Sequence, residues 1–341
     1  MIDKESPRTE KEKDAAIKDG IQAVLKEHGP GAIFNMNERV GRPMPHLPTG
    51  IWEVDYDVLG IGGMPRGRII EILGPESGGK TTLALTLVAQ AQANNERCLY
   101  VDAEHSFDPN WATTLGVNVS KLMVAQPDYG EQALDIADTM LETQALSVLV
   151  IDSVAALTPK AELDGEIGDA VVGAQARLMS QAMRRLTAKV NKSGAILVFI
   201  NQIREKIGVS WGSPETTSGG RALKFYASVR LDVRRIAGVK HGDSIEANRV
   251  RIKAVKNKVA PPFKEAEIDL VFSSGFDRLG SLVNAAVRYN VVQKSGSWYS
   301  FGAEKLGQGA GAVAAAIAVS PELETKVRDA LDAALKGQPN A

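Results

Sequence analysis

The residues with the clearest chemical potential form one stretch, Gly74-Pro75-Glu76-Ser77-Gly78-Gly79-Lys80-Thr81-Thr82. From Gly74 to Thr81 it fits the pattern G-x-x-x-x-G-K-[ST], which is a phosphate-binding loop. Backbone N–H groups of such a loop surround phosphate oxygens, the lysine reaches the β- and γ-phosphates, and the last hydroxyl binds Mg²⁺. A glycine-rich turn before a lysine could give the same letters, but chance produces them on the order of once in a hundred chains of this length. The stretch therefore predicts a site for a nucleoside triphosphate.

The elements on either side must hold this loop in place. Residues 68–73 are apolar and β-branched, which predicts a strand, and residues 82–91 contain no helix breaker, which predicts a helix. A helix that begins directly after the loop adds its partial positive charge to the phosphate site. Strand, loop and helix thus follow one another in the order that phosphate binding requires.

Strands and helices alternate from residue 68 to about residue 275, which predicts an α/β fold. Apolar runs without polar interruption are typical of a parallel sheet covered on both faces. Three later stretches alternate more evenly and predict an antiparallel extension of that sheet. The predicted parallel strands are 68–73, 97–102, 122–125, 148–152 and 196–200, the helices are 131–142 and 175–190, and the antiparallel strands are 225–235, 249–255 and 267–271.

Two of the predicted parallel strands end in acids. Asp152 follows four apolar residues, which is the Walker B form, and can hold Mg²⁺ through water. Asp102 and Glu104 follow the strand at 97–102, at the edge where open α/β sheets place their ligands. Either carboxylate could orient and deprotonate the water that attacks the γ-phosphate. Their spacing does not choose between them, and one of them could serve only to cap the next segment.

Basic residues occur in places that suit nucleic acid. One face of the helix at 175–190 carries Arg177 and Arg184, whose separation suits backbone phosphates, although a solvated helix face explains them slightly better. The loop at 201–220 is long and mixes basic, apolar and aromatic residues, which fits single-stranded nucleic acid. The ordinary interpretation of Lys256-Asn257-Lys258 is an exposed basic turn.

The composition narrows the class of protein. The 341 residues carry a formal net charge of −1, so nucleic-acid binding must come from local basic patches. No apolar run approaches the length of a membrane span, and residues 1–6 lack the apolar region of a signal peptide. The only cysteine, Cys98, lies in an apolar run, so we expect neither a disulfide framework nor a zinc site. A cytoplasmic protein without a membrane partner is expected.

The spacing of apolar residues also divides the chain. Residues 1–14 predict a frayed end, while 17–25 and 32–34 predict a helix and a short strand ahead of a proline-rich linker. These two elements cannot bury much alone, so they must pack on their own core or on a neighbouring subunit. Short helices and a small hairpin follow residue 276. The predicted parts are 1–45, 46–276 and 277–341.

Several stretches, in this order, resemble the bacterial RecA recombinase family over roughly residues 15–335. They are GPESGGKTT at 74–82, VDAEH at 101–105, VIDSVAALTPKAE at 150–162, GEIGD at 165–169, MSQAMR at 179–184, FINQIR at 199–204, PETT at 214–217, VKNK at 255–258 and GQG at 307–309. The resemblance implies a RecA-type P-loop NTPase core with a mostly parallel central sheet. It also implies a small N-terminal helix-strand segment for oligomerisation and a small α+β C-terminal domain that binds duplex DNA.

The resemblance assigns roles at the nucleotide site. It implies that Glu104, and not Asp102, is the catalytic glutamate, assisted by Lys80, and that Gln202 senses the γ-phosphate. Lys256 and Lys258 resemble lysines that reach the ATP of a neighbouring subunit. The further residues implied to contact ATP are Asp108, Trp111 and Phe272, and those implied to bind Mg²⁺ are Thr81 and Asp152.

A second set of implied roles concerns DNA and the subunit interface. Residues 165–173 resemble the first DNA-binding loop of the family, and the loop that begins at Gln202 resembles the second. Phe225 falls at an interface position, and Arg288 lies in a C-terminal gateway for duplex DNA. The residues implied to contact DNA are Val172, Arg177, Ser180, Arg184, Arg204, Lys206, Ile207, Trp211, Gly219 and Gly220.

The function implied by this resemblance is homologous DNA recombination that depends on ATP and Mg²⁺. The protein would form a helical filament on single-stranded DNA, exchange strands with duplex DNA, hydrolyse ATP, and promote self-cleavage of a LexA-type repressor in the SOS response. Two alternatives stay open: a hexameric DNA translocase on the same core fold, and an ATP-gated DNA scaffold without catalysis. Glu104 argues against the scaffold, and the N-terminal segment with Lys256 and Lys258 favours a filament.

Overall fold

The computed structural model describes residues 9–29, 32–35, 42–166, 173–205, 215–241 and 244–336, in two compact units, Met1–Pro43 and Met44–Ala341. The first unit contains one long helix, α1 (Glu10–His28). Thr9 and Glu12 cap this helix reciprocally, each side chain accepting a hydrogen bond from the other's backbone N–H. The expectation of a frayed end is therefore wrong from Thr9 onward. In place of the expected strand at 32–34, Ala32 and Ile33 form a bend, since a strand needs a neighbouring strand to pair with.

The second unit is built on one large sheet with helices on both faces. None of the described helices is both long and apolar enough to cross a membrane. In chain order the elements are β1 (His46–Leu47), a π-helix (Glu53–Val58), β2 (Met64–Pro65), β3 (Ile69–Gly74), α2 (Lys80–Ala93), β4 (Cys98–Asp102), α3 (Pro109–Thr114), β5 (Met123–Ala125), α4 (Gly130–Glu142), β6 (Val148–Asp152), α5 (Lys160–Leu163), α6 (Ala174–Ser193), β7 (Ile196–Glu205), β8 (Glu215–Thr217), α7 (Ala222–Tyr226), β9 (Val229–His241), β10 (Ser244–Asn257), β11 (Glu265–Val271), β12 (Gly275–Phe276), α8 (Arg278–Arg288), β13 (Gln293–Ser295), β14 (Trp298–Phe301), β15 (Glu304–Gln308), α9 (Ala310–Ala318) and α10 (Pro321–Lys336).

The large sheet confirms a mostly parallel core with an antiparallel extension. Its strands run in the order β12-β11-β10-β9-β3-β7-β6-β4-β5, and β8 pairs with β7. Neighbours from β9 through β3 to β5 are parallel, whereas β9 to β12 pair antiparallel. Because β3 lies between β9 and β7, the loop that follows β3 leaves the sheet near its centre.

One predicted strand is partly wrong. The strand expected at 225–235 begins only at Val229, and the residues just before it form α7. Leu223 and Ala227 are both buried, four residues apart, which is one helical turn. Alternation along the sequence does not reveal that spacing.

Two hydrophobic clusters cover the two faces of the sheet. Along β6, Val148 and Val150 belong to one cluster and Leu149 and Ile151 to the other. Helix α2 completes the first cluster, and helices α4 and α6 complete the second. Both faces of the large sheet are therefore covered by apolar side chains and excluded from water, which explains the unbroken apolar runs of the sequence.

The chain beyond β12 forms three helices and the antiparallel sheet β13-β14-β15, which confirms a small α+β C-terminal domain. Its core contains Leu282, Val313 and Leu331 together with Trp52, which precedes the π-helix. The division near residue 276 remains a prediction. The position of Trp52 shows that the segment before the large sheet contributes a side chain to the core of the C-terminal domain.

Candidate active site

The phosphate-binding loop joins β3 to α2 and lies against β9. Gly74 has a φ of +156°, and a Cβ atom there would lie 2.1 Å from the carbonyl oxygen of Val233. A Cβ atom at Gly78 would lie 2.7 Å from the same oxygen. Glycine at these positions therefore lets the loop pack directly on the sheet. Lys80 begins α2, and its ammonium group donates to the carbonyl oxygen of Pro75 across the loop, at 2.6 Å.

Asp152, at the end of β6, lies beside the first turn of α2. The hydroxyl groups of Thr81 and Tyr100 donate to its Oδ2 atom at 2.9 Å and 2.5 Å. Burial raises the pKa of Asp152, although these two hydrogen bonds favour its charged form. Burial also lowers the pKa of Lys80, while Asp152 and Glu104 favour the ammonium. The cation and the two carboxylates therefore act on one another electrostatically at the loop.

The donor atoms at this point fit Mg²⁺. That ion prefers oxygen ligands, keeps several waters and binds through one or two protein groups together with phosphates. Thr81 offers a hydroxyl and Asp152 a carboxylate. Within the described part of the chain, no group of three or more His, Cys, Asp or Glu side chains could hold a metal alone. The arrangement therefore suits magnesium that arrives with a nucleotide rather than a resident metal cage.

Glu104 and Asp102 lie in different surroundings. The Oε1 atom of Glu104, an exposed residue, accepts a hydrogen bond from the hydroxyl of Ser153 and one from the side-chain amide of Gln202 at 2.8 Å. Asp102 is buried, and it accepts from two backbone N–H groups of the next segment and from the side-chain amide of Gln126 at 3.0 Å. Asp102 therefore caps the following segment, and Glu104 is the carboxylate that a water molecule can reach.

The three predicted ATP contacts outside the loop differ in position. Asp108 caps α3 by accepting from the backbone N–H of Trp111 at 3.2 Å. The indole N–H of Trp111 donates to the hydroxyl of Thr82 at 3.3 Å, which fixes the ring beside α2. Phe272 follows β11 and is exposed. Trp111 thus lies at the loop, while the nucleotide contacts of all three remain predictions.

The predicted DNA contacts on regular elements are mostly accessible. Arg177 and Arg184 on α6, and Arg204 near the end of β7, are exposed. Ser180 is partly buried, and its hydroxyl donates to the carbonyl oxygen of Ala176 at 2.8 Å, within the same helix. The arginines, and not Ser180, are therefore the groups most open to a phosphate.

Two predicted DNA-contacting glycines pack against the start of α6. The backbone N–H of Gly219 donates to the side chain of Gln175 at 3.1 Å, and a Cβ atom there would lie 2.7 Å from Val154. A Cβ atom at Gly220 would lie 2.8 Å from the Cβ of Ala176. These glycines fix where the second loop rejoins the fold. The remaining predicted DNA contacts, outside the described residues, are Val172, Lys206, Ile207 and Trp211.

Lys256 lies near the C-terminal end of β10, and Lys258 directly follows that strand. The ammonium group of Lys256 donates to the carbonyl oxygens of Lys224 and Phe225 in α7, and burial and the charge of Lys258 lower its pKa. The backbone N–H of Lys258 donates to the carbonyl oxygen of Ser228. Phe225 itself is 69% exposed. Among the hydrogen bonds of the described residues, neither lysine bonds to a side chain of the phosphate site in its own chain.

Sequence reasoning missed a buried polar network at the sheet centre. Glu71 on β3 is fully buried, forms an ion pair with Arg230 on β9, and accepts from the side-chain amide of Asn201 on β7 at 2.8 Å. A charge inside a strand that is buried on both faces needs partners, and that signal could have found it. Tyr100 and Ser153 were also missed, and no spacing rule marks them.

The π-helix joins the C-terminal helices to the rest of the unit. Arg288 pairs with Asp57, and also with Glu53 at 3.3 Å. The hydroxyl of Tyr56 donates to Asp332 of α10 at 3.0 Å. The predicted gateway residue Arg288 is therefore engaged by acids of its own chain.

A glycine-rich loop between strand and helix, at the centre of a mostly parallel sheet and beside an acid that ends another strand, defines a P-loop nucleotide-binding protein. Family models agree with this class. A model described as the RecA N-terminal domain matches residues 15–277, and one described as the RecA C-terminal domain matches residues 280–336. The chain belongs to the RecA family.

Curated relatives cover most of the chain. It is 52% identical to Protein RecA of Cutibacterium acnes, over 93% of this chain and 91% of that protein. It is 54% identical to Protein RecA of Clostridium perfringens (strain 13 / Type A), over 88% and 85%, and 52% identical to that of Deinococcus radiodurans, over 97% and 91%. Family membership supports a recombinase role in DNA recombination and repair, with binding of ATP and DNA.

Proposed function

We propose that this chain is an ATP- and Mg²⁺-dependent recombinase that forms a filament on single-stranded DNA and exchanges strands with homologous duplex DNA. The hydrogen bond from Gln202 to Glu104, at 2.8 Å, carries the proposal. Gln202 lies on β7, which leads into the predicted second DNA-binding loop, and the charge of Glu104 acts on Lys80 of the phosphate loop. One contact therefore joins the region proposed to bind DNA to the region proposed to hydrolyse ATP.

The proposed hydrolysis uses groups that meet at the loop. Glu104 accepts a proton from water as the water oxygen attacks the γ-phosphorus, the bond to the bridging oxygen breaks, and ADP leaves. Lys80 and the backbone N–H groups of 74–82 stabilise the phosphate charge. Thr81 and Asp152 would hold Mg²⁺, which neutralises part of that charge when bound. Gln202 would report the γ-phosphate by moving its side-chain amide from Glu104 to the phosphate, which leaves the Glu104 carboxylate free to accept the proton of the attacking water.

Exposed apolar side chains support assembly of many copies. No residue of α1 is buried, and its Ile17 is 60% exposed. The side chain of Phe225, whose backbone carbonyl oxygen accepts a hydrogen bond from Lys256, is more exposed than that of Ile17. Large apolar side chains left uncovered favour a protein partner, here a second copy of the chain. A head-to-tail contact that does not close into a ring produces a helical filament, in which Lys256 and Lys258 would reach the neighbour's ATP.

Two rival functions use part of the same site. A hexameric DNA translocase would share the nucleotide chemistry but close into a ring, and an ATP-gated scaffold would bind ATP without hydrolysing it. The accessible carboxylate of Glu104 disfavours the scaffold. Promotion of LexA-type repressor self-cleavage is proposed as an activity of the same filament, so it depends on filament formation.

Electron microscopy separates these functions most directly. The full chain is mixed with single-stranded DNA, Mg²⁺ and a non-hydrolysable ATP analogue, and the assemblies are imaged. We expect open helical filaments, and few assemblies when Lys80 is replaced by alanine. Closed rings of constant size would favour the translocase. Filaments from a chain that shows neither ATP hydrolysis nor strand exchange in parallel assays with ATP would favour the scaffold.

A further inference from the structure

Glu71 is a buried carboxylate on β3. This strand lies between β7, which carries Gln202, and β9, which pairs with the strand that carries Lys256. Glu71 is three residues before Gly74, and its side chain is fully buried. One of its oxygens pairs with Nε of Arg230, and the other accepts from Nδ2 of Asn201 at 2.8 Å. Glu71 therefore joins β3 to both of its neighbours in the sheet through side chains as well as through the backbone.

The register of the strands extends this contact to the predicted interface lysine. On β9, Arg230 stands directly opposite Glu71 of β3, and on its other side it stands opposite Lys256 of β10. Burial, then Lys258 and Arg230, lower the pKa of Lys256, while Glu71 opposes them. The strand register therefore connects Glu71 to Lys256, two strands away, through Arg230.

On the other side, the network reaches the second loop. Asn201 precedes Gln202 on β7, and its Nδ2 atom also donates to the carbonyl oxygen of Ser218 at 3.2 Å, just before Gly219. The Oδ1 atom of Asn201 is buried and has no hydrogen-bond partner among the residues that the structure describes. A buried acceptor left unpaired costs free energy, so an arrangement of this loop that supplies a donor would be favoured.

Stability alone does not explain such a network. Removing two charges from water costs several kcal/mol per ion, and well-packed apolar residues often replace a buried ion pair without loss of stability. Ile69 and Leu73, on the same face of β3, are already apolar and buried, so an aliphatic side chain would suit position 71 once Arg230 is also replaced. The ion pair is therefore better explained by what it connects.

We propose that Glu71 is a positioning residue that couples successive ATP sites. Within one chain, it links Gln202, at that chain's own ATP, to Lys256, which on the proposed function reaches the ATP of the neighbouring copy. Movement of β7 when DNA and the γ-phosphate are bound would shift Asn201, then Glu71 and Arg230, and so the position of Lys256. Hydrolysis at one interface would in this way depend on the state of the next. This inference rests on the proposed function.

The test replaces the ion pair by an apolar pair. In the double variant Glu71→Met with Arg230→Met, the two buried charges are removed together, so the fold should be kept. We expect single-stranded DNA to stimulate its ATPase about tenfold less than that of the wild type, with a Hill coefficient for ATP near one. ATP hydrolysis without DNA, and filament assembly with a non-hydrolysable analogue, should stay within about twofold of the wild type.

Two further variants make the result specific. Asn201→Ala cuts the link to the second loop but leaves the ion pair, and it should lose stimulation to a similar extent even if the double variant fails to fold. Arg249→Met with Asp269→Met removes another ion pair between neighbouring strands of the same sheet and should leave stimulation unchanged. Wild-type stimulation and Hill coefficient in either the folded double variant or Asn201→Ala would overturn the inference. Absence of DNA-stimulated hydrolysis in the wild type would instead overturn the proposed function.

Discussion

The ammonium group of Lys256 donates a hydrogen bond to the carbonyl oxygen of Phe225, 2.9 Å away. The same group donates to the preceding carbonyl, so the lysine holds the end of the short helix α7. Phe225 is exposed and lies at a predicted interface position. If a neighbouring copy packs on Phe225, the two carbonyl groups move with it, and Lys256 can exchange them for phosphate oxygens.

The first prediction concerns this exchange. Replacing Lys256 and Lys258 with alanine should lower DNA-stimulated ATPase by a factor of roughly 10³, as expected for charges supplied by a neighbour. The free energy of unfolding of the free protein should fall by only about 1–3 kcal/mol, the cost of losing the hydrogen bonds from Lys256 to α7. Steady-state ATPase with single-stranded DNA and a thermal scan measure the two quantities.

A mixing experiment tests whether the lysines act across the interface. The lysine variant is mixed with Glu104→Gln, each being inactive alone. Some interfaces then contain one intact glutamate and one intact lysine pair, so part of the activity should return. Mixing Glu104→Gln with Lys80→Ala gives the background for non-specific effects, because both changes damage the same side of the interface and no mixed interface is complete. No recovery at any ratio would argue against sites shared between copies.

The second prediction separates the two acids after β4. Glu104→Gln should keep ATP binding and filament assembly but lose turnover by about 10² to 10⁴, since it removes only the base. Asp102→Asn should instead lower the free energy of unfolding by about 1–3 kcal/mol, because its oxygens accept three hydrogen bonds in the fold. Turnover by Glu104→Gln at the wild-type rate would remove Glu104 from the mechanism.

The elements around the loop could be predicted because each has a strong local signal. The strand Val148–Asp152 is an unbroken apolar run, and the structure gives it the same limits. Phe225 and Tyr226 were assigned to a strand because alternation and helical spacing are ambiguous over a few residues. The choice between Asp102 and Glu104 depended on hydrogen bonds across the fold, which spacing cannot supply.

The polar contacts between distant segments could not be predicted. Glu71 meets Arg230 across 159 residues of sequence, and Glu53 meets Arg288 across 235. Neither pair has a local pattern, because the sheet order and the packing of α8 bring the partners together. A buried charge in a strand indicates that some partner exists, but it does not say which one.

The third prediction concerns pH. Burial raises the pKa of Asp55 to about 7, although backbone N–H groups of Thr49 and Gly50 donate to its carboxylate. The folded chain then binds a proton at pH values where the unfolded chain, with a pKa of about 4, has released it. The stabilising effect of that proton is complete below about pH 4 and is lost as the pH rises to about 7.

The measurement compares the wild type with Asp55→Asn, so that other titrating groups cancel. Between pH 4 and pH 7 the free energy of unfolding of the wild type should fall relative to the variant, by roughly 4 kcal/mol at most. Thermal and denaturant unfolding at several pH values give the difference. A difference that does not change with pH would show that Asp55 has the same pKa in the folded and unfolded chain.

The last prediction concerns Arg288, which the acids of the π-helix engage. Asp57→Asn removes the closer of its two acidic partners and leaves the pair with Glu53 at 3.3 Å. If Arg288 contributes to a gateway for duplex DNA, freeing its guanidinium should raise duplex affinity a few-fold and steepen the salt dependence by up to about one phosphate contact. Fluorescence anisotropy of a labelled duplex at several salt concentrations measures both effects.

Matched variants decide whether the pair itself matters. Asp332→Asn removes one negative charge from the same region, where that residue accepts from Tyr56 and not from Arg288. It should change duplex affinity less than Asp57→Asn does. In an Arg288→Ala background, which should itself bind duplex DNA more weakly, Asp57→Asn should have no further effect. If Asp57→Asn and Asp332→Asn raise affinity equally, or if the effect persists without Arg288, general charge and not release of this arginine controls duplex binding.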